Sequence, residues 1–252
     1  MQIVGYETAP GDGPPALRVA SGGSVDRVPL LAGEEIAYAL GERHCAGVDR
    51  GGDGHEACDS PDAPHCDEHT STWPCARCVG NCAMPLESCH EEHAVYLAAF
   101  APDVFKVGVT RSWRLDTRLR EQGADRAAHV RTVEDGRRAR RVEYGIAAEI
   151  PDRVRVPTKV EGFGERVDAA AWDALVADYD PIEEFDFDYG LGLDRRPVAE
   201  TMATGTVVGT KGRVLVLERQ GTTYAVDMRD LVGYDVTPDG GGRDVQSSLG
   251  AF

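Results

Sequence analysis

All seven cysteines of this 252-residue chain, Cys45, Cys58, Cys66, Cys75, Cys78, Cys82 and Cys89, fall in one window of 45 residues. His44, His55, His65, His69, His90 and His93 lie in or beside it. The window is rich in Gly, Asp and Pro and has little apolar periodicity, so it cannot build a core unaided. A bound metal would supply its folding energy. Thiolates and imidazoles must converge on one ion at about 2.0 to 2.3 Å, which suits small loops closed by a Cys-x-x-Cys turn. Cys75-Ala76-Arg77-Cys78 supplies that turn. Cys45, Cys58, Cys66 and His69 upstream and Cys82 and Cys89 downstream offer enough ligands for one zinc site with spares or for two. Spacing does not partition them. A disulfide framework would need an oxidising compartment, and Met1-Gln2-Ile3-Val4-Gly5-Tyr6 has no basic region leading into an apolar one. An iron–sulfur cluster is a further alternative, but Cys75-x2-Cys78-x3-Cys82 matches neither ferredoxin spacing and the many histidines favour zinc. The expectation is structural zinc in a cytoplasmic protein.

Charge is the second constraint. Asp and Glu number 43 against 27 Lys and Arg, a net −16, and lysine is reduced to Lys106, Lys159 and Lys211. Such an acidic excess with lysine almost eliminated looks like a protein adapted to molar salt, where self-repulsion is screened within about 3 Å. Acidity then reports the solvent more than the partner. Against it stands one basic island: ten arginines lie between Arg111 and Arg141. Arg111, Arg114, Arg118, Arg137 and Arg138 are the candidate phosphate-facing residues, with a solvated helix face as the plain alternative. No stretch approaches a membrane span.

Periodicity predicts strands at 2–6, 16–20 and 25–30, separated by Gly/Pro turns. A hairpin follows the cysteine window, from 94–100 to 104–109, then a helix over 113–122 with Ser112 as cap and Gly123 ending it. A strand at 129–133, a helix over 136–150 and another over 168–179 come next, and strands return at 183–193, 205–209, 213–218 and 222–227 as a small antiparallel barrel. Glu183-Glu184-Phe185-Asp186-Phe187-Asp188 reads as a strand with its acids outward rather than as a metal site.

The order strand, strand, helix, strand, helix over 94–150 carries a resemblance to the GIY-YIG nuclease domain. Ala94-Val95-Tyr96 stands where that family has Gly-Ile-Tyr, and Lys106-Val107-Gly108 where it has Tyr-Ile-Gly. Arg118 resembles the arginine of the first helix, and Glu143 the metal-binding glutamate. The resemblance implies a catalytic set of Tyr96, Lys106, Arg118 and Glu143, with Mg²⁺ or Mn²⁺ on the glutamate if the site is active. Three departures imply a degenerate nuclease: Lys106 replaces the second tyrosine, Gln122 replaces the helix histidine, and no asparagine lies between 94 and 150. Val95-Tyr96-Leu97-Ala98, Lys106-Val107-Gly108-Val109-Thr110-Arg111 and Gln122-Gly123-Ala124, preceded by the cysteine window, are also similar to an uncharacterised family, domain of unknown function 2797.

The expected fold is therefore α+β. A GIY-YIG-like small antiparallel sheet flanked by helices is joined to a cysteine-rich zinc module and a β-rich module drawn from both termini. The expected divisions are a β-rich segment at 1–40, the Cys/His module at 41–92, the α/β core at 93–180, a small β-barrel-like module at 181–240 and a flexible tail at 241–252. The expected function is zinc-stabilised interaction with DNA or RNA. The alternatives are a metal-dependent endonuclease, or an adaptor for a protein partner in which zinc is purely structural. Nothing points to a membrane partner.

Overall fold

The computed structural model describes residues 1–8, 13–51, 54–70, 80 and 87–238. It is a mixed α+β structure dominated by sheet. Nine strands form the larger sheet: β1 (Gln2–Glu7), β2 (Ala16–Ser21), β3 (Ser24–Pro29) and β4 (Glu35–Arg43) from the N-terminal part, and β11 (Val198–Ala199), β12 (Ala203–Lys211), β13 (Val214–Arg219), β14 (Thr222–Asp227) and β15 (Tyr234–Thr237) from the C-terminal part. Their order is β11-β14-β13-β12-β4-β15-β1-β2-β3, antiparallel except for the pair β11–β14. β4 is thus flanked by β12 and β15, both about 160 or more residues further along. Ile3, Leu17, Ile36, Leu215, Leu217, Met228 and Leu231 form the core on this sheet.

A two-stranded hairpin, β5 (Val48–Asp49) and β6 (His55–Glu56), leads into the loops that carry Cys58, Cys66 and His69. The smaller sheet comprises β7 (His93–Phe100), β8 (Val104–Arg111), β9 (Arg126–Val133) and β10 (Glu183–Asp186), in the order β10-β9-β7-β8. β7 is buried on both faces, which is why it reads as a continuous apolar run rather than an alternating one. Val95, Leu97 and Ala99 face α2 (Gly136–Ile146) and α4 (Ala169–Ala177), with the fully buried Trp172 between them. Ala94, Tyr96, Ala98 and Phe100 face α1 (Leu115–Gln122) through Leu115 and Leu119.

α3 (Val156–Glu161) ties the two sheets together: Val160 and Phe163 pack with Val214, Val216 and Ala225. The end of α1 meets the turn between β12 and β13, where a Cβ on Gly212 would lie 2.7 Å from the Gly123 nitrogen. Across this junction Lys211 Nζ donates to both oxygens of Asp125 at 2.6 and 2.7 Å.

Several expectations need correction. β4, α3, α5 (Met228–Leu231) and β15 were not expected from the sequence. The strand expected over 183–193 stops at Asp186, and the helix expected over 136–150 stops at Ile146. The C-terminal strands do not form a barrel of their own; they share one sheet with β1–β4. Ser112 does not cap α1: its hydroxyl is buried without a partner, and a 3-10 turn over Ser112–Arg114 precedes the helix. Gly123 does close α1, in the left-handed conformation at φ 69°. The acids of β10 pair with arginine, Asp186 and Glu184 lying 3.0 and 3.7 Å from Arg126, while Phe185 packs inward. The expected tail at 241–252 and the turn Cys75–Cys78 lie outside the described residues.

Candidate functional site

Two constellations stand out. The first is built at the end of β4. His44 N–H donates to the Gly233 carbonyl at 3.0 Å, fixing the chain as it leaves the sheet, and Cys45 follows at once. Cys45 N–H donates to Ser60 O and Ala46 N–H to Pro64 O, which draws the loop carrying Cys58 and Cys66 across it. Cys66 opens a single helical turn, His69 and Thr70 N–H both donating to its carbonyl, so that His69 projects beside it three residues on.

The ligand atoms of Cys45, Cys58, Cys66 and His69 lie within 4.8 Å of one another. His69 Nδ1 is 3.3 Å from the sulfurs of both Cys45 and Cys66, and the sulfurs of Cys58 and Cys66 are 4.0 Å apart. A tetrahedron with zinc–sulfur bonds of about 2.3 Å and a zinc–nitrogen bond of about 2.0 Å has edges of roughly 3.5 to 3.8 Å, so this cage is the right size. The N–H groups of Gly47 and Cys66 point at Cys45 Sγ from 3.4 and 3.3 Å. Burial raises the Cys45 thiol, but these donors and the His69 ring outweigh it and bring it down to about 7. A sulfur served by backbone donors is prepared to be a thiolate ligand. Gly47 is required here: at φ +64° a Cβ would sit 2.0 Å from the Glu56 carbonyl oxygen. The group could therefore hold a metal ion such as zinc. Of the other expected ligands, Cys89 stands apart from this group, and Cys75, Cys78 and Cys82 lie outside the described residues.

The second constellation is a cleft of about 930 Å³ between the two sheets. Tyr96, Lys106, Arg118 and Glu143, distant in sequence, all line it. Tyr96 on β7 pairs directly with Gly108 on β8, and its ring lies over the bare Gly108 Cα. Gln122, at the end of α1, joins the group: Nε2 donates to the Tyr96 phenol at 2.6 Å, and Oε1 accepts from Lys106 Nζ at 2.9 Å. Burial holds the Tyr96 phenol above its ordinary range, against the lowering effects of Arg118 and Gln122, so it stays protonated at neutral pH. Because its oxygen accepts from Gln122, its own hydrogen is left to donate elsewhere. Burial, and after it the Arg118 charge, pushes Lys106 down to about 8. Glu143 on α2 is only 8% exposed and pairs with Arg140 at 2.7 Å.

The remaining wall comes from α3 with Lys159, from β12 and the turn after it with Lys211 and Arg213, and from α5 with Arg229. In all, nine lysines and arginines line the cleft against four carboxylates, the reverse of the balance in the chain as a whole. All three lysines of the chain are among the nine. Of the basic island, Arg118 and Arg140 line the cleft; Arg111, Arg114, Arg137 and Arg138 do not. Arg111 and Arg114 instead flank the exposed Trp113, at 4.6 and 5.9 Å from its ring, and Arg138 pairs with Glu134 at 2.8 Å. Sequence reasoning passed over Gln122, except as a departure, and Lys159, Lys211 and Arg213 altogether. One signal could have found the lysines: where a composition almost eliminates a residue, its survivors merit inspection as a set.

An α+β protein with a Cys3His ligand group and a cation-lined cleft is the class that fold and sites define. Residues 33–189 match the family described as "Protein of unknown function (DUF2797)", and the chain belongs to that family. No curated protein and no solved structure matches it. No helix among the described residues is long and apolar enough to cross a membrane.

Proposed function

We propose that this chain is a zinc-stabilised protein that binds DNA or RNA in the cleft between its sheets, using a GIY-YIG-like core that has lost nuclease parts. The observation that carries the reading is the reversed charge of that cleft: in a chain of net −16, nine cationic side chains surround a phenol and a buried glutamate. Cations lining a concave surface select a phosphate backbone. Zinc is the ion that four closed thiolate and imidazole ligands suit best, and with no open position its role is structural.

Endonuclease activity is the second reading, favoured by the grouping of Tyr96, Arg118 and Glu143 on one cleft. There the Tyr96 O–H would orient an attacking water, Arg118 would offset charge on the phosphorane-like transition state, and Glu143 would have to exchange Arg140 for Mg²⁺ or Mn²⁺. The loss of the second tyrosine and of the helix histidine, and the short Arg140–Glu143 contact, favour binding without cleavage.

The deciding experiment measures binding and cleavage of short single- and double-stranded DNA and RNA, with and without Mg²⁺. Arg118→Ala is expected to weaken binding about tenfold, the loss of one desolvated phosphate contact. Glu143→Gln is expected to leave both binding and substrate integrity unchanged. Metal-dependent cleavage that disappears in Glu143→Gln would replace the leading reading with the second. No binding to any of the four nucleic acids would leave the protein-adaptor role.

The acidic surface supports adaptation to high salt. The melting temperature is expected to rise by 10 °C or more between dilute buffer and 2 M KCl, since screening removes repulsion among roughly sixteen uncompensated charges. A flat or falling curve by circular dichroism would remove that reading.

A further inference from the structure

Lys159 reaches the cleft from beyond the segment 94–150 that carries the nuclease resemblance. It projects from α3, and its ammonium donates to the main-chain carbonyl of Gln122 at 2.6 Å and lies 4.1 Å from the centre of the Phe100 ring. No carboxylate pairs with it among the described residues. The charges that act on it most strongly are positive, Lys106 from β8, Arg118 from α1, Lys211 from β12 and Arg213 from the turn after it, while the carboxylates Glu121, Glu143, Asp152 and Asp227 line the same cleft. Three of these four have their own acids. Lys211 is held by Asp125, Arg213 by Asp227 at 2.8 Å, and Arg118 by Glu121 at 3.2 Å. Lys106 and Lys159 have no ion-pair partner among the described residues, although Glu143 and Asp152 act on Lys106 from further off, and both rest on Gln122, one on its side-chain oxygen and one on its backbone oxygen.

Two ammonium groups brought together without a directly paired acid are costly unless an anion shares them. The arrangement also lies one residue's length from the Tyr96 phenol, since the Gln122 amide touches that phenol at 2.6 Å. We propose that Lys159 and Lys106 form a phosphate subsite, adjacent to the one facing Tyr96 and Arg118, so that the ligand carries at least two neighbouring phosphates and its chain crosses from the core toward the larger sheet. The inference rests on the phosphodiester-binding reading of the same cleft and adds the residue that reading lacks: a phosphate-positioning lysine from beyond the segment 94–150 that carries the nuclease resemblance. The subsite is largely shielded from solvent, so it keeps its attraction in salt that would screen an exposed contact.

Burial, and after it the Lys106 charge, brings Lys159 down to about 7. A phosphate in the subsite would restore the charged form, so binding takes up a proton at pH 7 to 8. An arginine in its place is already charged and takes up none.

Inorganic pyrophosphate serves as the probe, followed by calorimetry in two buffers of different ionisation enthalpy, with a single-stranded oligonucleotide in a parallel arm. Lys159→Met is expected to bind pyrophosphate at least tenfold more weakly. Lys159→Arg is expected to keep the affinity within about threefold while taking up fewer protons than the native protein, the shares of Lys106 and of pyrophosphate itself being common to both. Lys159→Met gives up the bond to the Gln122 carbonyl and the cation over Phe100, so its melting temperature without ligand is measured beside its affinity, and Lys159→Arg, which keeps the charge, separates lost binding from lost folding. Equal pyrophosphate affinity in Lys159→Met, equal proton uptake in Lys159→Arg, or no pyrophosphate binding by the native protein would each overturn the subsite. Pyrophosphate bound with no oligonucleotide bound would keep the subsite and remove the nucleic-acid reading. Oligonucleotide bound equally by the native chain and by Lys159→Met would do the opposite.

Discussion

Cys66→Ser is expected to remove one equivalent of zinc per chain and to unfold the segment around it, the largest loss of stability that a single substitution here should cause. Cys66 supplies one sulfur of the candidate ligand group, an N–H to Cys45 Sγ, and the carbonyl that holds the turn bearing His69. Little else is available to replace it. Among the described residues between 44 and 70 the buried apolar side chains are Cys45, Ala46 and Cys66, two of which belong to the candidate ligand group. Structural zinc contributes about 10 kcal/mol or more of apparent binding energy in small sites, comparable with the whole stability of an ordinary domain. The loss would spread to the larger sheet, because Gln2 Nε2 donates to the Cys45 and Gly233 carbonyls and so ties β1 to this loop. Elemental analysis and limited proteolysis check it together. Chelation should reproduce the substitution, and more readily as pH falls, because protons compete with the metal for thiolate and imidazole. Unchanged zinc content, or full protease resistance after zinc loss, would remove the metal from the folding argument.

Gly108→Ala is the second large effect expected. Its Cβ would lie 2.5 Å from both Cζ and the hydroxyl of Tyr96, closer than any carbon tolerates. Tyr96 cannot step aside: it is 1% exposed, in a strand packed on both faces, with its hydroxyl held by Gln122. Overpacking of this kind costs about 1–3 kcal/mol. It should also displace the phenol from the cleft, so ligand affinity should fall further than in Tyr96→Phe, which deletes one hydroxyl and keeps the ring. Gly145→Ala is the matched control. That glycine sits in α2 with nothing within 4 Å of the added methyl, so alanine should stabilise by about 0.5–1 kcal/mol through helix propensity alone. Denaturant midpoints at fixed KCl compare the two. A Gly108→Ala protein as stable as the native chain, with ligand affinity intact, would mean that the phenol has room to move.

The strands were legible where alternation or a strongly apolar run marked them, as in β2, β7 and β13, and α1 was legible because Leu115, Leu119 and Gly123 fall at helical spacing and a helix stop. β4 was not, because Glu35–Arg43 contains one buried residue, Ile36, and otherwise a graded, half-buried pattern without period. α3 was not, because six residues with a proline near the start carry too little periodicity to announce a helix. Its importance comes from Val160 and Phe163 packing across to β13 and β14, a tertiary fact with no local signature. The cysteine window announced metal ligands as a class, but only chain folding could bring Cys45, Cys58, Cys66 and His69 together and set Cys89 apart. Likewise the resemblance supplied Tyr96, Lys106, Arg118 and Glu143, while the wall facing them comes from segments on which that resemblance is silent.

The strand order of the larger sheet also sets a timetable for synthesis. Each strand of the smaller sheet finds its neighbours between residues 93 and 186, so it can pair soon after emerging from the ribosome. β4 cannot: its neighbours are β12 and β15, and one edge of β1 also waits for β15. At about 5–20 residues per second, the first strands spend on the order of ten seconds or more with open backbone edges. Through that interval the waiting edges of β1 and β4 are exposed to non-native strand pairing, and a message truncated between residues 187 and 233 would release a protein whose small sheet is complete and whose large one lacks β15.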